Sequence, residues 1–296
     1  MVAMVPPVAM PVFEDYDSLE SGDCREFISE DLLTPTSRGF NAKRDATHHW
    51  VLCKLTRPHK SEFQLCSENG DFLLCAKLVD DCYYVSTYED FPASVDERGL
   101  RGRAPAAMRH VVAVLAHRKT PRGPCFELRL VSAASAIAPE KPLAEVRPSS
   151  IWCAEQGAEL RRLDVALPAA VESPGAHYKH DWRRPPPPPR ESRVRLRNKL
   201  PTWNKQLGCL SLHFGRKRVR TSSSKNFLIY TEDVLNDGAA REDADNAAFQ
   251  LGKLAAKTFA LDFRYPINPL QAFAVALTAF QIKHCKVPRA TRSGSG

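Results

Sequence analysis

One segment constrains the fold of this chain more than any other. From Pro269 to about His284, the residues Leu270, Ala272, Phe273, Ala274, Val275, Ala276, Leu277, Ala279, Phe280 and Ile282 leave hardly any polar face. The start of the run carries helix signals. Asn268 can cap the first turn, Pro269 suits the first helical position, and Gln271, three residues after the cap, completes a capping-box arrangement. A helix that is apolar around nearly its whole circumference has to be buried on all sides. It is too short to cross a bilayer, which takes roughly 20 apolar residues. About 16 residues rising 1.5 Å each reach roughly 24 Å, close to the height of a small β-barrel.

The residues ahead of it supply material for such a barrel. Short runs with strand character occur at His49–Leu55, Glu62–Ser67, Asp71–Leu78, Cys82–Thr87, His110–His117 and Cys125–Val131. They continue at Leu160–Leu167, Arg193–Leu196, Cys209–Phe214, Asn226–Thr231, Phe249–Leu254 and Thr258–Phe263. Asn69-Gly70, between the second and third of these, predicts a hairpin with a type I′ turn. About a dozen short strands with polar loops between them favour an all-β sandwich or closed barrel over alternating βαβ units. The expected architecture is mainly β: a closed antiparallel barrel of about 12 strands around a buried hydrophobic C-terminal α-helix. Residues 47–285 are expected to form this domain.

Charge separates the chain into two unequal parts. Met1–Ser37 carries eight acids against Arg25 alone and is −7; because the whole chain is +8, the remainder is +15. A body so basic suits nucleic acid, an anionic membrane surface or an acidic protein segment, and composition does not choose among them. Residues 1–46 read as an acidic, disordered arm able to fold against a partner, or as a solubilising tail. Met1–Val12 lacks a positive n-region and is broken by Pro6, Pro7 and Pro11, matching neither a secretory signal nor an Arg-rich transit peptide. The expected compartment is cytosol or nucleus. Nine cysteines without a CxxC pair fit neither a disulfide framework nor a structural zinc site. Arg183-Arg184, Pro185–Pro189 and Arg190 indicate a proline-rich loop inserted at about 175–192, and 286–296 read as a disordered tail.

The C-terminal third resembles the tubby-like proteins. Asn198-Lys199-Leu200-Pro201-Thr202-Trp203-Asn204 is similar to that family's NKxPxWN, and Lys225-Asn226-Phe227 to its KNFQI strand. Phe259–Pro266 followed by Leu270–Leu277 resembles the family's closing FxMDYxYPLxxLQAFAIAL. Upstream, Cys53–Arg57, Phe72–Lys77 and Tyr83–Ser86 resemble its first strands, and Leu100-Arg101 its KLRS segment. The resemblance implies a closed barrel of about twelve strands around one hydrophobic helix, in agreement with the pattern read from the residues. It also implies a non-enzymatic, membrane-attached adaptor that binds phosphatidylinositol 4,5-bisphosphate through a basic barrel site. Several members link membrane cargo to intraflagellar transport through an N-terminal segment, and a role in transcription is proposed for some.

A phosphoinositide headgroup needs convergent Lys or Arg side chains. The resemblance places Lys77 and Arg101 at the family's site, although the basic run that follows in the family is replaced here by Leu78, Val79, Asp80 and Asp81. A second basic surface is expected from Arg216, Arg218 and Arg220, which share a face if that run is a strand; Arg193, Arg195 and Arg197 alternate likewise. Each stripe also reads as a solvated face or a nuclear-import-like patch. Arg183, Pro186, Pro189 and Arg190 satisfy the spacing of SH3 ligands, or form a rigid spacer. His177-x-x-His180 near Asp181 is a weak metal candidate, so no metal or cofactor is expected. There is no GxSxG, phosphate loop, HExxH or GxGxxG, and no enzyme is expected. Trp203 reads as a core anchor and Asp262 as a structural residue.

The expected function is therefore a monomeric phosphoinositide-binding adaptor, cytoplasmic and peripheral on membrane, with an SH3-type domain and a trafficking-complex protein as further partners. Nuclear nucleic-acid-associated regulation through the same basic surface is the alternative, and a ciliary location is left open.

Overall fold

A computed structural model of the protein describes residues 50–131, 141–153, 158–168, 193–204, 206, 209–215, 218–236 and 244–282. The acidic segment, His177 and His180, the proline-rich insertion with its SH3-like motif, and the C-terminal tail lie outside the described residues.

The described residues form fourteen strands: β1 (Val51–Thr56), β2 (Glu62–Ser67), β3 (Phe72–Val79), β4 (Cys82–Ser86), β5 (Ala113–Thr120), β6 (Gly123–Leu130) and β7 (Ala144–Cys153). They continue with β8 (Ala158–Pro168), β9 (Arg193–Asn198), β10 (Thr202–Asn204), β11 (Cys209–Ser211), β12 (Phe227–Thr231), β13 (Phe249–Ala255) and β14 (Thr258–Phe263). Twelve of them close into one barrel in the order β1-β14-β13-β12-β9-β8-β7-β6-β5-β4-β3-β2, while β10 and β11 pair separately. Every barrel pairing is antiparallel. The alternation that signalled the strands is what closes them. In β2, Phe63, Leu65 and Ser67 are buried while Glu62, Gln64 and Cys66 are half-buried, so one face of each strand joins the core and the other faces outward.

The Asn69-Gly70 hairpin forms, but not with a type I′ turn. Gly70 has φ 106° while Asn69 has no positive φ. The Gly70 amide donates to the Ser67 carbonyl and the β2–β3 register shifts between Leu65 and Cys66. The turn is closed by a left-handed glycine, and the register shift is a separate bulge that leaves Leu73 of β3 without a partner residue in β2.

The C-terminal helix runs Pro269–Gln281, three residues shorter than the periodicity predicts. Its capping box forms as expected: the Asn268 side chain accepts from the Gln271 amide at 2.8 Å, and Gln271 Oε1 accepts from the Asn268 amide at 3.0 Å. All residues from Pro269 to Ala279 are buried. The helix meets several walls of the barrel. Tyr83 Oη of β4 donates to the Leu277 carbonyl at 3.0 Å, Gln271 Nε2 donates to the Leu143 carbonyl ahead of β7 at 2.9 Å, and Phe280 packs on Phe63 of β2 and Phe259 of β14. Alanines 272, 274, 276 and 279 let these walls approach closely, and the helix shares one apolar cluster with the inward residues of the strands.

Antiparallel order gives the barrel two distinct ends. The β1–β2, β3–β4, β5–β6, β7–β8 and β13–β14 turns lie at the end where the helix finishes, because Phe280 meets the second residues of β2 and β14.

Much of the outer wall is covered. Three short helices, Phe91–Ser94, Glu97–Arg101 and Pro105–Met108, pack Phe91, Leu100 and Met108 onto Cys75, Tyr84 and Val114. The β12–β13 connection covers Leu228 and Tyr230 with Ala244 and Ala247. The segment around Val219 crosses β13 at Gly252, where an added Cβ would lie 2.0 Å from a Val219 methyl. Only glycine allows that crossing.

Candidate functional site

The structure brings Lys77 and Arg101 together, and it also neutralises them. Lys77 is nearly buried; its Nζ donates to the Pro92 carbonyl at 2.6 Å and lies 3.4 Å from Glu62 and 3.5 Å from Glu97. Glu97 reaches Arg101 at 3.6 Å, and Arg101 also meets Asp80 at 3.3 Å. Three carboxylates thus answer two cations. Asp80, in the acidic β3–β4 turn, takes up the Arg101 guanidinium.

The expected Arg216, Arg218 and Arg220 stripe does not form as a strand. Arg216 lies outside the described residues, and 218–220 form a turn and irregular chain rather than extended sheet, because the segment leaves the wall to cross Gly252. Arg220 is exposed, whereas Arg218 turns inward. Its guanidinium hydrogen-bonds the fully buried Asp262, which also accepts from Gln250 Nε2, and it reaches the Cys53 carbonyl and Glu68. Arg218 is therefore a clamp holding the crossing segment against β14 and β1. Asp262 is structural, as expected, fully buried and paired with Arg218 and Gln250. Burial, followed by the Asp262 charge, pushes the neighbouring Cys53 thiol up to about 12. Trp203, expected as a core anchor, is instead 49% exposed on β10.

The wall formed by β7, β8 and β9 carries a different surface. An open groove of about 400 Å³ is lined by Arg122, Arg147, Arg162, Arg193, Arg195 and Arg197, with Glu145, Asp164 and Glu232 among them and Val165, Ala166 and Leu196 as its apolar part. Strand register explains the arrangement. Arg147 of β7 stands opposite Asp164 of β8, which stands opposite Arg197 of β9; one row along, Glu145, Ala166 and Arg195 are in line. Alternation sends Leu196 inward and its arginine neighbours outward. Ala166 has no long side chain, so the floor between Glu145 and Arg195 stays open.

The carboxylates orient the guanidinium groups. Glu145 accepts from Arg193 at 2.6 Å and Arg147 at 3.2 Å, Asp164 accepts from Arg197 at 2.9 Å and Arg162 at 3.3 Å, and Glu232 accepts from Arg197 at 2.8 Å. Partial burial raises the Glu145 carboxyl, but the hydrogen bonds and charges of Arg193 and Arg147 outweigh it and hold the group below its ordinary value. Arg195 and Arg122 are exposed and make no ion pair among the described residues. Six guanidinium groups against three carboxylates leave the groove net positive, and planar guanidinium forks match phosphate oxygens in a way that single ammonium groups do not.

Of the groove arginines, the alternation of 193, 195 and 197 was visible in the sequence. Arg122, Arg147 and Arg162 were not, because they reach the groove only through cross-strand register. A signal existed in Glu145-Val-Arg147, one outward pair spaced by two, but Pro148 disguised the strand.

Residues 140–282, which contain most of this groove, match the model of the Tub family. Tubby-related protein 1 of Mus musculus is 42% identical over 93 residues, 31% of this chain and 15% of that protein. Tubby-like F-box protein 6 of Oryza sativa subsp. japonica is 38% identical over 94 residues, 32% of this chain and 23% of that protein. Tubby-like F-box protein 2 of Arabidopsis thaliana is 36% identical over 94 residues, 32% of this chain and 24% of that protein. The match spans under a quarter of the length of each of these relatives.

Proposed function

We propose, on the premise that residues 140–282 of this chain are a Tub-family segment, that the protein is a non-enzymatic adaptor that docks on phosphoinositide-bearing membrane through the β7–β8–β9 arginine groove. The observation that carries this reading is the groove itself: Arg195 and Arg122 face solvent while Glu145 and Asp164 hold four neighbouring guanidinium groups in fixed orientations. Pre-oriented donors lose less freedom when an anion arrives. The lining contains arginines, carboxylates and aliphatic side chains, with no histidine, cysteine or hydroxyl, which favours binding over catalysis.

The groove, rather than Lys77 and Arg101, is the headgroup site in this reading, since the latter pair is already answered by Glu62, Glu97 and Asp80. The acidic segment and the proline-rich segment are then the parts that engage protein, an SH3-type domain and a trafficking complex among the partners, and the location is cytoplasmic and peripheral on membrane. Flotation with phosphatidylcholine vesicles, with and without phosphatidylinositol 4,5-bisphosphate, tests it. Reversing Arg195 to Glu removes one attraction and adds one repulsion at about 1 kcal/mol each, so affinity should fall roughly 30-fold. Equal recovery on the two vesicle types rejects the reading, and a salt-sensitive shift with duplex DNA in place of vesicle binding favours the nucleic-acid alternative.

A further inference from the structure

The two large apolar side chains most exposed to water among the described residues are both tryptophans, Trp152 at 62% and Trp203 at 49%. Strand direction puts Trp152 at one end of the barrel, and Trp203 follows within five residues of a strand that finishes at that end. Trp152 is the penultimate residue of β7 and pairs with Glu159 at the start of β8, while β9, antiparallel to β8, finishes at Asn198, five residues before Trp203. This is the end at which the Pro269–Gln281 helix finishes.

Apart from the helical β4–β5 connection, whose four acids and four arginines cancel, the charge of the described turns differs between the two ends. At the tryptophan end stand Arg57, Lys60, Arg122, Lys199, Lys225 and Lys257, against Asp80, Asp81 and Glu159. At the opposite end stand Glu68, Asp71, Glu232, Asp233 and Asp245, against Lys141 and Arg264. Two of the cations cover the rim of the barrel: Arg57 Cζ lies 5.2 Å and Lys225 Nζ 5.3 Å from the centre of the Phe280 ring. Burial, followed by the charges of Arg57 and Arg161, pulls the Lys225 amine below its ordinary value. Nearby anionic charge would relieve that crowding.

We propose that this end of the barrel is the face laid on a bilayer, with Trp152 and Trp203 seated in its interfacial layer and the surrounding cations on anionic lipid. Tryptophan suits that layer because its ring is apolar and its indole N–H remains hydrated, and exposed aromatic side chains on a net basic end are complementary to an anionic membrane surface. The inference deepens the membrane-docking reading and rests on it for the choice of partner. The headgroup groove would confer lipid selectivity, and the tryptophan end would fix how the molecule sits.

The test uses the full chain, a Trp152→Ser/Trp203→Ser double variant, phosphatidylcholine vesicles containing phosphatidylinositol 4,5-bisphosphate, and soluble inositol 1,4,5-trisphosphate. Both side chains are exposed, so the variant should fold. It should lose about tenfold or more in vesicle affinity, from the aromatic area returned to water, and keep its affinity for the trisphosphate. Brominated lipids should quench tryptophan fluorescence more in the parent than in the double variant, which keeps Trp50 and Trp182. A variant that binds vesicles as the parent does, or a parent that binds vesicles without quenching, overturns the proposal. A parent whose quenching on vesicles is lost in the double variant, yet which does not bind the trisphosphate, upholds this face and rejects the groove as the headgroup site.

Discussion

Arg218 was read from the sequence as a lipid contact and is found as a clamp, and that difference can be measured. Asp262 is fully buried and receives Arg218 and Gln250; the Arg218 side chain is 18% exposed. In an Asp262→Asn variant the guanidinium keeps Glu68, itself half exposed, as its nearest carboxylate. Removing one partner of a buried pair costs about 3–5 kcal/mol, and an exposed pair of the Glu68 kind returns at most about 1 kcal/mol. The expected loss is therefore about 2–4 kcal/mol. At about 2–4 °C per kcal/mol for a domain of this size, Tm should fall by about 4–16 °C. Arg218→Met should cost a similar amount, because it strands the carboxylate. Arg218→Met combined with Asp262→Leu should recover part of the loss, since neither charge is then buried alone. Chemical and thermal denaturation of the four proteins, alongside vesicle flotation, decides the matter. If Arg218→Met melts with the parent but loses vesicle binding as Arg195→Glu does, the clamp assignment is wrong and Arg218 belongs to the lipid site.

Three further outcomes follow from the same geometry. Lys77→Met should lower stability by about 1–3 kcal/mol, because the Pro92 carbonyl loses its donor and Glu62 and Glu97 are left facing each other, while vesicle affinity stays at the parental level. The Glu145 carboxyl is held below its ordinary value, so its contribution to stability is complete above the unfolded pKa of about 4.3 and is lost as pH falls through the folded value. Denaturation midpoints of the parent and a Glu145→Gln variant should accordingly differ at neutral pH and converge in acid; a gap that persists in acid contradicts the assignment. Cys53, with its thiol pushed up to about 12, should resist iodoacetamide at mildly alkaline pH in the native state and react only as the domain unfolds, read by peptide mass spectrometry against denaturant.

The barrel was legible because its evidence is local. Alternation in Glu62–Ser67, the strand-like run Phe249–Leu254, and the all-round apolar character of Leu270–Ala279 are properties of single segments, and each reappears as a strand or a buried helix. What failed was non-local. β7 was missed because Pro148 and the serines after it read as a break, and only pairing with the long β8 holds Pro148 opposite Leu163. The three short helices between β4 and β5 carry too few residues for a period, and they exist because Phe91, Leu100 and Met108 cover the outer face of β3–β5. The turn at Gly70 formed where expected, with a left-handed glycine alone in place of the two positive φ angles of type I′ geometry.

The candidate sites separate along the same line, and the reason is ion pairing. Formal charge counts Lys77, Arg101, Arg218 and Arg195 alike, but three of the four face carboxylates contributed by other elements: Glu62 and Glu97, Asp80, and Asp262. A basic run in sequence states how much cation is present, not how much is available to a partner. Availability depends on which strand lies alongside, and Arg195 keeps it because β8 offers Ala166 between Glu145 and Arg195. Arg122 links that surface to the tryptophan end, because it lines the groove and also sits in the β5–β6 turn. A bilayer laid against the tryptophan end would therefore bring headgroups to the mouth of the groove at Arg122 before they reach Arg195. Reversing Arg122 should weaken both vesicle binding and trisphosphate binding, whereas the tryptophan substitutions should weaken only the first.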